Sequence, residues 1–206
     1  MSPAPPTAAQ TIRSVCIFCG SSEGTNPIFV EKAKAFGEIL VKNNWTLVYG
    51  GGSNGIMGAV AKSVIQHGGK VISIIPEALI APSGEMLGEL FVVKSMHERK
   101  QLMAEKSDAF VGLPGGFGTL EELLEMITWS TLGIHSKPLV LLNTLGYYEP
   151  IAAWTDQAVE CGFITSAARK TFSMASDPED AVRLILNYKS PERQYALDWS
   201  AASLDV

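Results

Sequence analysis

The residues best suited to chemistry fall in one stretch, Leu113-Pro-Gly-Gly-Phe-Gly-Thr-Leu-Glu-Glu122. Gly115, Gly116 and Gly118, set around Phe117, permit a backbone whose N–H groups converge on one point and hold an anion. Thr119 has the chemistry of a helix N-cap, and the positive end of the helix behind it favours negative charge. A phosphate is the simplest occupant. Glu122 follows within one turn. Paired with Thr119 it also matches a capping box, in which the carboxylate only holds a backbone N–H. Helical periodicity places Leu120, Leu123, Leu124, Ile127 and Thr131 on one face, with Glu122, Glu125 and Trp129 projecting from roughly the opposite side. A tryptophan beside two carboxylates points to a side covered by a partner or a ligand.

A second cluster is Met96-His-Glu-Arg-Lys100, the expected start of another helix. Arg99 and Lys100 near a helix start oppose its dipole unless an anion lies close. Arg99 shares a face with Met96, Leu102 and Met103, which predicts a partly buried guanidinium. A buried arginine needs a partner, and phosphate or carboxylate suits its fork. The structural alternative is an ion pair with Glu98 or Glu105. His97 carries a weaker signal, and His67 and His135 read as ordinary helix-end or loop residues.

Two further turns are rich in small residues. In Cys19-Gly-Ser-Ser22, Gly20 allows a sharp bend while Ser21 and Ser22 offer hydroxyls and amides. Gly50-Gly-Gly-Ser-Asn-Gly-Ile-Met-Gly58 contains the spacing of a dinucleotide fingerprint, with Gly51 inside it. It belongs to the second strand-turn-helix unit, however, and Glu77 lies just beyond Pro76, poorly placed for a ribose. Close helix–strand packing is the alternative to an anion or nucleotide there. Phosphate-cradling turns, a helix-borne carboxylate and an Arg/Lys pair together suit a nucleoside monophosphate cleaved at its sugar–base bond. A carboxylate near the anomeric carbon stabilises the oxocarbenium-like transition state, or orients the attacking water as general base.

These residues need a scaffold, and the chain supplies a regular one. Apolar runs at Val15–Cys19, Thr46–Tyr49, Val71–Ile75, Phe91–Val93, Ala109–Leu113 and Leu139–Leu142 read as strands. Helical patterns at Ile28–Asn43, Ile56–His67, His97–Ser107, Leu120–Thr131, Tyr148–Cys161 and Pro178–Tyr188 alternate with them. That alternation predicts an α/β fold, a Rossmann-like doubly wound parallel sheet flanked by helices. Ligands in such a sheet sit beyond the carboxyl ends of the strands at the topological switch point. A single domain over 14–188 is expected, with a disordered Pro/Ala/Thr-rich segment at 1–13 and a loosely held tail at 189–206.

The 206 residues are 47% hydrophobic, enough for one core, and the net charge of −5 argues against a nucleic-acid partner. No apolar run reaches the length of a membrane helix. Nothing near Met1 resembles a secretory signal, and three cysteines make no disulfide framework, so a cytoplasmic protein is expected. Cys16 and Cys19 form a C-x-x-C, but in an apolar strand they face opposite ways, and no second pair completes a zinc site.

The motifs resemble those of the Lonely guy family, the cytokinin riboside 5′-monophosphate phosphoribohydrolases. Pro114-Gly-Gly-Phe-Gly-Thr-Leu-Glu-Glu122 fits that family's P-G-G-x-G-T-x-x-E throughout. Met96-His-Glu-Arg-Lys100, Cys19-Gly-Ser-Ser22 and Tyr49-Gly-Gly-Gly52 stand in the family's order, and the likeness runs from about Ser14 to Tyr188. The resemblance implies a homodimer that releases free base and ribose 5-phosphate, with no metal or organic cofactor. It implies Arg99 and Glu122 as the catalytic pair, with Lys100, Gly116 to Glu121 (Phe117, Gly118, Thr119 and Leu120 included) and Thr128 holding the nucleotide. Gly20, Ser21, Gly51, Met96 and Gly115 complete the expected substrate site. One departure is Pro76–Gly84, which is shorter than in plant members and lacks their Pro-Arg-Glu. Members have also been labelled lysine decarboxylases, a reaction that asks for a cofactor-binding lysine, and none stands out. A broader nucleoside-monophosphate nucleosidase and a non-catalytic nucleotide binder are the alternatives.

Overall fold

Strands buried on both faces need apolar residues in both directions, and the first strand shows how this chain provides them. Val15, Ile17 and Cys19 enter one core cluster, and Cys16 and Phe18 enter the other. The computed structural model describes residues 11–191 together with Leu197 and Trp199. Its elements run β1 (Ser14–Phe18), α1 (Ile28–Lys42), β2 (Thr46–Tyr49), α2 (Gly55–Gln66), β3 (Val71–Pro76), α3 (Glu77–Ile80) and β4 (Glu89–Val93). They continue α4 (Met96–Glu105), β5 (Ala109–Gly112), α5 (Phe117–Thr131), β6 (Leu139–Leu142), α6 (Glu149–Glu160), β7 (Ser173–Ala175) and α7 (Pro178–Leu186). The expectations for residues 1–10 and for most of the chain beyond 191 lie outside the described residues. Within the tail, Trp199 Nε1 donates to the Leu132 carbonyl at 2.9 Å.

The seven strands pair in parallel in the order β4-β3-β2-β1-β5-β6-β7. Helices α1, α2 and α7 cover one face, and α4, α5 and α6 the other. The order reverses at β1, where Val15 lies opposite Leu47 of β2 on one side and Ala109 of β5 on the other. The switch point therefore falls between the carboxyl ends of β1 and β5, where two of the glycine-rich turns begin.

The starts of β4 and α5 differ from the sequence expectation, and β7 and α3 were not expected at all, each for a local reason. Strand β4 starts at Glu89, because an edge strand with one wet face shows no continuous apolar run. Strand β7 is three residues long and opens on a serine, too short for a hydrophobic pattern. Helix α3 is a single turn after Pro76. Helix α5 begins at Phe117 with Gly116 as its N-cap, so Thr119 sits inside the first turn and makes no capping box with Glu122. A true cap occurs at α4, where Ser95 Oγ accepts from Glu98 N at 3.1 Å and Glu98 accepts from Lys94 N at 2.7 Å.

Tyr148, 1% exposed, ties the second half of the sheet to the turn after β5. Its hydroxyl donates to the Leu113 carbonyl at 2.7 Å, while its own N–H donates to Asn143 Oδ1 at 2.7 Å. Tyr148→Phe keeps the ring but strands a buried carbonyl, a loss of about 1–2 kcal/mol. The melting temperature should fall by roughly 2–8 °C; an unchanged value would show that Leu113 finds another donor.

Candidate active site

A cleft of about 460 Å³ opens at the carboxyl ends of β1, β2 and β5. Its charged floor comes from two helices on the same side of the sheet. Arg99 projects from α4 and is 8% exposed; Glu122 projects from α5 and is 7% exposed. Arg99 Nη2 stands 3.5 Å from Glu122 Oε1 and 3.5 Å from the Gly50 carbonyl, and Nη1 stands 3.7 Å from Met96 Sδ. Buried Arg99 Nε has no hydrogen-bond partner among the described residues. All these contacts lie at the outer limit of hydrogen bonding, so the guanidinium keeps donor capacity for a ligand. The carboxylate partner of Arg99 is thus Glu122. Glu98 caps α4 instead, and Glu105 accepts from Gln101. Gly50 leaves room for this guanidinium, because a Cβ at that position would collide with Nη2 and force it to move.

Burial pushes the Glu122 carboxyl up to about 7, against the opposing pull of the Arg99 charge. Its proton is therefore exchangeable near neutral pH, the property a group working on a glycosidic bond needs. The helix face differs from the periodicity reading: Thr119, Glu122, Leu123, Met126 and Ser130 are buried, and Leu124 is 40% exposed. The buried stripe of α5 is centred on Leu123 and Met126, so Glu122 faces inward beside the core and not away from it.

The start of α5 forms one rim of the cleft. Gly116 caps the helix without any side-chain acceptor, and its carbonyl takes the first helical hydrogen bond from Leu120 N at 3.1 Å. The first-turn amides are thus left for an external acceptor. Side chains placed at Gly116 or Gly118 would meet nothing within 4 Å, so ligand access is open there. At Gly115, by contrast, a Cβ would press on Thr119 Oγ1 and on Gly20 N, whose N–H donates to the Pro114 carbonyl at 3.0 Å. The turns after β1 and β5 are locked backbone to backbone.

Of the residues singled out by sequence, Gly20, Ser21, Arg99, Gly116, Phe117, Gly118, Thr119 and Glu122 meet at this cleft. Gly115 lines an adjoining cavity of about 340 Å³ that shares Gly20, Ser21 and Gly116 with it. The others do not line the cleft. Gly51 takes a positive φ of 82° and packs on Ile75. Lys100 and Glu121 are joined to each other, and Lys100 also reaches Glu125 at 2.9 Å. Burial pulls the Lys100 ammonium down, and its hydrogen bonds to Glu121 and Glu125 more than offset that, leaving it above the ordinary lysine range. Thr128 is exposed and bonds the Leu124 carbonyl of its own helix, and Met96 reaches the site only through Arg99.

The glycines of the second turn serve mainly in packing. Positions 52, 55 and 58 abut Ser83, Ser21 and Ser53 too closely for a side chain. Early amides of α2 are already engaged, Ile56 N by the Ser22 carbonyl and Met57 N by the Gly20 carbonyl. Within the second turn the sequence pointed to Gly51, whereas Gly50 lines the cleft, and it did not show an apolar wall of Met57, Ile75, Leu79 and Pro82. Position at the carboxyl ends of β2 and β3 was the available signal. The strap carrying Leu79 and Pro82 is fastened over the second turn by Ser53 N to Ser83 O at 2.9 Å and Asn54 Nδ2 to Pro82 O at 3.0 Å. Among the described residues no group of three or more His, Cys, Asp or Glu could hold a metal.

Comparison with known proteins gives this geometry a family. Residues 57–185 match the family model described as "Possible lysine decarboxylase". A "Probable cytokinin riboside 5'-monophosphate phosphoribohydrolase" of Oryza sativa subsp. japonica is 49% identical over 88% of this chain and 75% of its own length. A cytokinin riboside 5′-monophosphate phosphoribohydrolase of Arabidopsis thaliana is 48% identical over 85% of this chain and 83% of its own. Among solved structures, the molybdenum cofactor carrier protein of Chlamydomonas reinhardtii shares the fold, with a TM-score of 0.64 and 20% identity over 85% of this chain and 96% of that one. A family match over more than half of the length, with relatives near half identical across most of theirs, makes the chain a member of the Lonely guy family.

Proposed function

We propose that this protein hydrolyses the N-glycosidic bond of cytokinin riboside 5′-monophosphates, yielding free base and ribose 5-phosphate. The observation that carries the proposal is a buried carboxyl, Glu122, set against Arg99 on the floor of a cleft whose rim is an uncapped helix start. The substrate phosphate lies at the first-turn amides of α5, which places the ribose over Glu122. As the bond from the anomeric carbon to the base nitrogen lengthens, positive charge builds on the sugar and the Glu122 carboxylate stabilises it. Water then adds to the anomeric carbon, its hydroxyl going to the sugar and its proton, in net balance, to the departing base. Arg99 keeps Glu122 ionised more readily than burial alone allows, and its long, loosely held Nη contacts leave donor capacity for the substrate. The apolar wall of Met57, Ile75, Leu79 and Pro82 suits a hydrophobic substituent on the base.

The names of the relatives, at 48–49% identity, support this substrate class. A homodimer using the outer side of α5, where Leu124 is exposed, and a cytoplasmic location in keeping with three free thiols complete the proposal. No described helix is long and apolar enough to cross a membrane.

Incubation with isopentenyladenosine 5′-monophosphate, AMP and isopentenyladenosine tests the reaction by chromatography of the released base. Release confined to the substituted monophosphate is expected. Equal release from AMP would reduce the activity to a general nucleosidase, and release from the unphosphorylated nucleoside would remove the phosphate from its place at α5.

The pH dependence has a definite sign. The working form of Glu122 is the carboxylate, so kcat/KM should rise as pH increases through about 7 and level off above it. Arg99→Ala removes the charge that lowers the Glu122 pKa, which should move that limb upward and cut activity roughly 100-fold at neutral pH. A limb set by the substrate phosphate would stay in place in the variant, and that result would take the titration away from Glu122.

A further inference from the structure

The start of α5 is held from behind by groups that the chemistry does not use. Three consecutive carbonyls lead into that helix, and each accepts a hydrogen bond from a different donor. Tyr148 Oη donates to Leu113 O at 2.7 Å, Gly20 N to Pro114 O at 3.0 Å, and Tyr147 Oη to Gly115 O. In a planar trans peptide the C=O and the following N–H point in opposite directions. Holding the Gly115 carbonyl toward Tyr147 therefore aims the Gly116 N–H the other way. Tyr147 lines the adjoining cavity, and Gly116 forms part of the ridge between that cavity and the main cleft. The opposite side of the peptide is the side of the cleft.

We propose that Tyr147 is a positioning residue for the substrate phosphate: its hydroxyl fixes the Gly115–Gly116 peptide so that the Gly116 amide faces the cleft. This rests on the phosphate placement proposed above. Glycine on both sides leaves this peptide unit free to rotate, so an external hydrogen bond has to select its orientation. The Tyr147 ring is itself held edge-on by Phe29, with centroids 6.0 Å apart, and by Tyr148 at 5.2 Å. It is delivered by a turn in which Leu145 and Gly146 both adopt left-handed backbone, φ 55° and 73°, a conformation a leucine rarely takes. The neighbouring Tyr148 does a different job. The carbonyl it holds is followed by Pro114, which has no N–H to aim.

The two tyrosines therefore separate under mutation. Titration calorimetry with ribose 5-phosphate, with adenosine as the ligand lacking phosphate, reads the effect directly. Tyr147→Phe, at a half-exposed position, should keep its melting temperature and weaken ribose 5-phosphate about fivefold to tenfold, the scale of one lost hydrogen bond. Adenosine affinity should not change, and in turnover the loss should appear in KM with kcat preserved. Tyr148→Phe should lower the melting temperature and leave ribose 5-phosphate affinity alone. Equal affinity of wild type and Tyr147→Phe for ribose 5-phosphate would overturn the proposal, as would equal weakening by both variants. Failure of the wild type to bind ribose 5-phosphate would overturn it together with the phosphate placement. A wild type that binds ribose 5-phosphate in a Tyr147-dependent way but releases no base would support it and remove only the hydrolase reading.

Discussion

The site depends on one ion pair that is buried but not satisfied. Arg99 and Glu122 lie almost wholly out of water, 3.5 Å apart, with the Arg99 Nε unpartnered among the described residues. Taking two charges from water is repaid only by good geometry and full hydrogen bonding, and neither is present here. Packing alone would select hydrophobic residues at these two positions. The unrepaid cost is visible in the proton affinity of Glu122, which burial lifts to about 7 despite the cation beside it. Residues held in that state are the ones a ligand can stabilise, and on the proposed function binding and chemistry would share this one pair of side chains.

Everything nearby keeps that pair in place without closing the cleft. Gly50 gives up its side chain so that the guanidinium can pass over the end of β2. The turns after β1 and β5 lock through the Gly20–Pro114 hydrogen bond, which needs the bare backbone of Gly115. Lys100, adjacent to Arg99, joins α4 to α5 through Glu121 and Glu125, so the helices bearing the pair are braced by a neighbouring, better satisfied ionic cluster. The Lys100 cluster closes on itself, and the adjacent Arg99–Glu122 pair is loose and available.

Much of this was legible in the sequence. Alternating apolar runs and helices indicated the sheet class, and the switch-point rule pointed to the strand-to-helix turns, three of them rich in small residues. Arg99, Glu122 and the glycine run were recognisable because charged or flexible residues stand where packing does not ask for them. Other features were less accessible for physical reasons. The start of α5 was displaced by one turn because Gly116 and Phe117-Gly118 carry no strong helix signal, although first-turn glycine costs little. Glu122 faces inward because the buried stripe runs through Leu123 and Met126, and apolar residues on both candidate stripes left periodicity unable to choose between them. Lys100 and Glu121 looked like ligand groups because nothing in the sequence shows that they reach each other across two helices. The wall formed by Leu79 and Pro82 depends on a strap folded over the second turn, a long-range contact without a local pattern.

The most direct test of this account is a single-turnover measurement of base release by Glu122→Gln, beside its affinity for ribose 5-phosphate. The amide keeps the shape of the side chain and removes its charge. Preserved binding with base release slowed by roughly 1000-fold or more is predicted, since the carboxylate acts on charge present only in the transition state. Release within a few-fold of wild type would contradict it, leaving Glu122 as a structural partner of Arg99 and placing the chemistry elsewhere.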